Sequence, residues 1–341
     1  MKKTVLLTGI SGFVGQHCAV ELIRKGYAVK GTVRNLSKKK NVLDAIRKET
    51  GTLDDMEILQ LDLIADAGWD DAMTGVEYVL HVASPFTLTE PKDEMDMIRP
   101  AVDGTLRVLK SARTAGVKKV VLTSSTVAMA GDAKMNHLTQ ESWTNPESDR
   151  VSAYTKSTAL AEKAAWKFYE SQHGGERMEL TVIHPGPIFG PTLSGDLTGA
   201  SMTLMRDLLS GKLAMQPNVH YPMSDVRDVA ALHVAALENK ESDGQRFIVT
   251  SEEPYSFVEI ASMLKENGYG KVRPRKAPSA LIRFLSLFNR EMKGMVPMLD
   301  VRITCDVTPA KRVFGWRPMA IRKTVLDTAA SIMPLLQGTH G

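Results

Sequence analysis

Three glycines stand at regular spacing in Thr8-Gly9-Ile10-Ser11-Gly12-Phe13-Val14-Gly15, directly after the β-rich run Thr4–Thr8 and at the start of an amphipathic stretch, 12–25. A turn of this kind binds phosphate. Gly9 lets the chain turn sharply, Gly12 lets the backbone approach a pyrophosphate, and Gly15 lets the following helix pack close to the sheet. The helix start then offers free N–H groups and a partial positive charge to the phosphates. Ser11, Phe13 and Val14, between the glycines, belong to the same cofactor-binding turn. Three glycines alone are a weak signal; the strand–turn–helix context makes this one a dinucleotide site.

The residue after the second strand decides which dinucleotide. An Asp or Glu about 20 residues past the glycines would accept the ribose hydroxyls of NAD. Here the strand ends Gly31-Thr32-Val33-Arg34-Asn35, with no carboxylate. Arg34 can pair with a 2′-phosphate as a charge-assisted fork, with Lys38 one helical turn on. The expected cofactor is therefore NADP. Asp62, in Gln60-Leu61-Asp62-Leu63, sits where a carboxylate can accept the adenine amino group. Capping the next helix is its alternative use.

A phosphate turn needs a sheet to present it, and the first 185 residues supply one. Strands are expected at Thr4–Thr8, Ala28–Val33, Met56–Leu61, Val76–Val82, Lys119–Thr123 and Leu180–His184. Helices are expected at 12–25, 37–50, near 67–73, 93–114 and 154–173. Strand–helix alternation implies right-handed crossovers, hence an α/β fold of Rossmann type with a doubly wound parallel sheet. After His184 the rhythm breaks at Pro185, Gly186, Pro187, Gly190 and Pro191, and 193–199 reads as a mobile loop. A helix near 201–210, a strand at 220–223 and a helix at 225–237 follow. Phe247–Thr250 is expected to return a strand to the sheet. The domain reading is a dinucleotide-binding unit over 1–185, its sheet completed from 220–250. A smaller C-terminal substrate lobe, made of 186–219 and 251–341, would carry short helices and Pro-rich connections.

Composition excludes several classes. With 43% hydrophobic and 24% charged residues the chain is an ordinary globular one. A net charge of +4, dispersed, does not point to nucleic acid, and Lys38-Lys39-Lys40 reads as a solvated helix start. No apolar stretch approaches the roughly 18 residues of a membrane span, and the apolar run after Met1 is too short for a signal peptide. Cys18 and Cys305 alone make no disulfide framework, so a cytoplasmic location is expected. The 18 Met residues are scattered core fillers. His81, His137 and His184 show no ligand spacing, so no metal is expected.

Further motifs carry a resemblance. The glycine turn, His81-Val-Ala-Ser-Pro85, Val121-Leu-Thr-Ser-Ser125, Tyr154 and Ala161-Glu-Lys-Ala-Ala-Trp166 resemble the extended short-chain dehydrogenase/reductases. The match is nearest to the dihydroflavonol reductase, cinnamoyl-CoA reductase and fungal-type aldehyde reductase branch. Pro185-Gly-Pro-Ile-Phe-Gly-Pro191 and Asp225-Val-Arg-Asp-Val-Ala230 fit the same branch, and nearly the whole chain is covered. The resemblance implies hydride transfer between the nicotinamide and a carbonyl carbon of a small molecule. It makes Tyr154 the proton donor and Ser125 the hydroxyl that orients the carbonyl. Ser124 should serve the loop backbone. Leu63, Val82, Ala83, Ser84, Thr123, Pro185 and Ile188 join Tyr154 and the residues above as cofactor contacts. Substrate recognition falls near 86–90, 128–137 and 193–205, and the pocket where Gly12, Ser125, Tyr154 and Pro185 converge. The state would be a monomer or homodimer.

One position departs from the family. Its usual Lys stands four residues after the Tyr, on the same helix face. Counting from Tyr154, with the register fixed by Ala161-Glu162-Lys163, that position is Thr158. Lys156, two residues along, points away. A Lys charge at ~4 Å, with an effective dielectric of about 20, is worth up to ~4 kcal/mol to the phenolate. Thr158 keeps a hydroxyl in the catalytic set but supplies no charge. The leading reading is an NADP-dependent carbonyl reductase, slowed at this step. A nucleotide-binding sensor without turnover is the alternative, and an epimerase or dehydratase ranks third.

Overall fold

The structure, a computed structural model, describes residues 2–85, 91–131, 136–287 and 296–337. Seven strands form one parallel sheet: β1 (Thr4–Thr8), β2 (Ala28–Val33), β3 (Met56–Gln60), β4 (Tyr78–His81), β5 (Lys119–Thr123), β6 (Glu179–Pro185) and β7 (Gln245–Val249). Their order is β7-β6-β5-β4-β1-β2-β3. It reverses between β1 and β4, and the crevice outside the strand ends at that point is where such sheets bind ligands.

The alternation of side chains along β1 sorts the layers. Val5 and Leu7 face a core with α1 (Phe13–Arg24), α2 (Lys39–Thr50) and α8 (Val226–Ala236). Leu6 faces the other core, with α3 (Trp69–Met73), α4 (Met95–Thr114) and α6 (Ala153–Glu170). All three β1 side chains are fully buried, which is why the strand reads as an unbroken apolar run. A short helix α5 (Val127–Ala130) follows β5. The lobe is a third core, of α7 (Ala200–Leu209), α9 (Phe257–Glu266) and α12 (Ile321–Gln337). Helices α10 (Ser279–Leu285) and α11 (Thr308–Phe314) are the remaining α-helices among the described residues.

Differences from the sequence reading have local causes. β4 stops at His81 because the Val82 and Ala83 N–H groups donate to Thr8 Oγ1 instead of a neighbouring strand. α6 begins at Ala153 because Ser152 accepts the Thr155 N–H as its cap. Of the 220–223 run only His220–Tyr221 is a strand, antiparallel to Tyr255–Ser256 and outside the main sheet. The last helix is long rather than short, since Ile321, Val325, Ala329 and Ile332 recur on one face and fill the lobe core. The 193–199 loop, read as mobile, is held at Ser194 Oγ by Gln16 Nε2 at 2.9 Å and at Gly195 N by Thr192 Oγ1.

A Cβ at Gly15 would fall 2.2 Å from the Gly9 carbonyl oxygen, whereas one at Gly270 would meet nothing within 4 Å. Gly15→Ala should therefore cost about 1–3 kcal/mol in chemical denaturation, as overpacking does. Gly270→Ala should be neutral or slightly stabilising in the same assay.

Candidate active site

The glycine turn leaves its concave side open. Gly9 has φ +71°, and a Cβ there would lie 2.9 Å from Ala83 Cα, so the turn and the segment just after β4 touch without side chains between them. Gly12 is the exposed N-cap of α1; it makes no side-chain cap, and the first helical turn holds no acidic residue. These features suit a pyrophosphate. Ser11, Phe13 and Val14 are half-buried beside it. Arg34 and Lys38 are exposed past the end of β2, and neither side chain pairs with a described residue. Asp62 neither caps α3, which starts from Gly68, nor stands free: its Oδ1 accepts the Ile64 N–H at 3.2 Å. Leu63 packs against Gly104 and gives its carbonyl to Arg107.

Thr8, not singled out from the sequence, locks the first and fourth strand ends together. Its oxygen accepts two backbone N–H groups, so its only proton goes to His81 Nδ1 at 2.8 Å. That leaves His81 neutral with its proton on Nε2. Val82 and Ala83 are thereby half-buried at the crevice and Ser84 is exposed. Thr123 is fixed the same way. His233 Nδ1 donates to the Val229 carbonyl, and Nε2 accepts the Thr123 hydroxyl at 2.7 Å.

Ser125, Tyr154 and Thr158 are brought together. Ser125 follows β5, where its oxygen accepts the Val127 N–H at 3.3 Å and lies 3.4 Å from the buried Pro185 carbonyl. The Tyr154 hydroxyl is buried beside the side-chain hydroxyls of Thr158 and Ser125. Burial pushes its pKa above the usual phenol value, an effect those two hydroxyls offset only in part. Thr158 donates to the Tyr154 carbonyl at 2.9 Å, the back-bond of a helical Thr. Lys156 is drawn off to Glu94 at 2.7 Å. Ile188 lies in a two-residue strand paired with Ser224–Asp225, at the base of the lobe. Of the substrate segments, 86–90 and 132–135 lie outside the described residues, and Met202 and Met205 are spent in the lobe core.

Ser124 corrects the sequence reading. Its hydroxyl serves a carboxylate, not the loop backbone, donating to Glu162 Oε2 at 2.6 Å. Glu162 is 1% exposed. It also accepts His184 Nε2 at 2.8 Å, Arg246 Nε at 2.7 Å and Trp166 Nε1 at 3.2 Å. Burial alone would raise a carboxyl pKa, but His184 and Arg246 bring this one down to about 2. The one signal in the sequence is the spacing: Tyr154, Thr158 and Glu162 share a face of α6. His137 bonds Thr304 at 2.8 Å, and among the described residues no cluster of His, Cys, Asp or Glu could hold a metal ion.

Relatives bear out the resemblance. The NAD dependent epimerase/dehydratase family matches residues 5–250, and the chain belongs to it. It is 29% identical to the NADPH-dependent methylglyoxal reductase GRE2 of Saccharomyces cerevisiae over 97% of this chain and 98% of that one. It is 31% identical to the cinnamoyl-CoA reductase CAD2 of Medicago truncatula over 77% of this chain and 80% of that one. The crystal structure of the yeast methylglyoxal/isovaleraldehyde reductase Gre2 complexed with NADPH superposes with a TM-score of 0.80. That match, at 27% identity, covers 98% of this chain and 99% of the other, and the Rossmann-type architecture is shared throughout.

The buried imidazoles make stability depend on pH. Burial lowers His81 and His233 from 6.5 to about 4. Both are neutral when folded and take up protons once unfolded, so their contribution is complete above pH 6.5 and lost as pH falls toward 4. Glu162, ordinarily near 4.5, adds a second loss between there and about 2. Denaturation midpoints should hold through neutral pH and decline below 6.5. His233→Gln should take one proton out of that slope, and an unchanged slope would mean that His233 is not buried as a neutral ring.

Proposed function

We propose that the chain is an NADP-dependent carbonyl reductase that converts a hydrophobic aldehyde or ketone to its alcohol. The meeting of the Tyr154, Ser125 and Thr158 hydroxyls at the carboxyl edge of the sheet carries this reading. Arg34, with no acidic residue after β2, holds the 2′-phosphate, and the glycine turn holds the pyrophosphate. The hydride comes from the reduced nicotinamide of the bound cofactor. Ser125 directs its proton to the carbonyl oxygen, since its contact with the Pro185 carbonyl is long at 3.4 Å. Tyr154 donates the phenolic proton to that oxygen as charge develops there.

Reduction needs the neutral phenol, and burial keeps Tyr154 in that form at neutral pH. The groups that set its pKa are burial and two hydroxyls, none of them charged. Thr158 spends its own proton on the Tyr154 carbonyl, and its hydroxyl, like that of Ser125, works against burial, which is what keeps the phenol protonated. The site is thus suited to reduction more than to the reverse reaction. The yeast relative's description as a methylglyoxal/isovaleraldehyde reductase supports short aliphatic aldehydes as the first substrates to try. The compartment proposed is the cytoplasm: both cysteines are free thiols, and among the described residues no helix is long and apolar enough to cross a membrane.

NADPH should bind far more tightly than NADH, and Arg34→Glu should weaken NADPH much more than NADH; equal affinities in the unaltered protein would end the NADP assignment. Oxidation of the alcohol needs the phenolate, so its rate should keep climbing into alkaline solution, while Thr158→Lys should move that rise to lower pH. Tyr154→Phe should abolish turnover in both backgrounds. A protein that binds NADPH yet reduces none of methylglyoxal, isovaleraldehyde or an aryl aldehyde panel would favour the sensor reading instead.

A further inference from the structure

Four segments that carry the site meet on one buried carboxylate. Glu162 belongs to α6, two turns beyond Tyr154 on the same face. Ser124 adjoins Ser125 and is 8% exposed. His184, fully buried, adjoins the Pro185 whose carbonyl faces Ser125 and accepts the Thr126 N–H at 3.0 Å. Arg246 belongs to β7 and reaches past Glu162 to the carbonyls of Gln140 and Ser142, at 2.6 and 2.8 Å. Its guanidinium lies 3.8 Å from the Trp143 ring centroid. Thr144, next along, accepts the Gly131 N–H and donates to the Val127 carbonyl, holding both ends of α5 just behind Ser125.

Each oxygen of Glu162 is occupied twice. Oε1 receives Arg246 and Trp166, and Oε2 receives His184 and Ser124. The Ser124 hydroxyl therefore has one orientation open to it, toward Oε2, and with its backbone N–H held by the Ile183 carbonyl at 2.8 Å the residue is fixed at both ends. The next residue is Ser125. Resting on the reductase reading above, we propose that Glu162 is a positioning residue for this site: through Ser124 it sets the place of the Ser125 hydroxyl beside Tyr154. Arg246 and His184 hold the carboxylate in place, and neither touches the reacting atoms. A purely structural ion pair would need Arg246 and His184 but not Ser124.

Ser124→Ala separates the two, because it removes the link and leaves Arg246 and His184 on Glu162. NADPH affinity, KM and the melting temperature should stay within about 2-fold or a few degrees, while kcat falls about 10-fold, as for a misaligned catalytic group. Ser124→Thr should restore it. In a Ser125→Ala background the same change should add less than about 2-fold, since it acts only through that hydroxyl. Independent of turnover, the ¹³Cζ resonance of Tyr154, assigned by its loss in Tyr154→Phe, should shift in Ser124→Ala in the same sense as in Ser125→Ala. An unaltered kcat, full additivity with Ser125→Ala, or a Tyr154 resonance that stays put would overturn the proposal. If the unaltered protein reduces no carbonyl compound, the reductase reading falls and the resonance alone decides this one.

Discussion

A carboxylate taken out of water has to be surrounded by donors, and that requirement on Glu162 organises the catalytic half of the molecule. An ion of this size loses several kcal/mol of hydration on burial, so loss of the cationic partner, Arg246, would leave a charge stranded at a similar cost. The partners come from β6, β7, α6 and the loop after β5. None of these can shift by itself without breaking a charge-assisted bond. Hydrophobic contacts alone would tolerate sliding of α6 along the sheet; directed hydrogen bonds to two oxygens do not. The precision of a site made of small hydroxyls rests on that rigidity.

The parts legible in the sequence are those whose cause is local. β1, β2 and β5 follow directly from short apolar, β-branched runs, and the glycine turn from the need for a positive φ at Gly9 and for no Cβ at Gly15. Tyr154, Ser125 and Thr158 were legible only through motif resemblance, since nothing in their immediate neighbours requires them to meet. What escaped the sequence depends on partners far along the chain. The end of β4 is set by Thr8, 74 residues earlier, and the fate of the Ser124 hydroxyl by Glu162, 38 residues later. A histidine such as His184 reads the same whether it serves a metal, a substrate or a buried carboxylate.

An uncharged trio of hydroxyls is a different kind of acid from one with an ammonium beside it. A nearby cation stabilises the phenolate and so eases both loss and recovery of the proton. In the proposed site burial, with no cation to oppose it, holds the proton on Tyr154, where reduction needs it. In the proposed reaction, the departure from the family bears on the direction as much as on the speed.

The first turn of α1 belongs to two structures at once. Phe13 packs against the core of the lobe, Gln16 reaches Ser194, and His17 meets the Pro191 carbonyl at 2.9 Å. The helix proposed to receive the pyrophosphate is therefore also tied to the segment around Pro191 and Ser194. Linkage makes such a tie reciprocal: a ligand that stiffens the turn stiffens that segment, and a ligand that orders the segment tightens the hold of the turn by the same free energy.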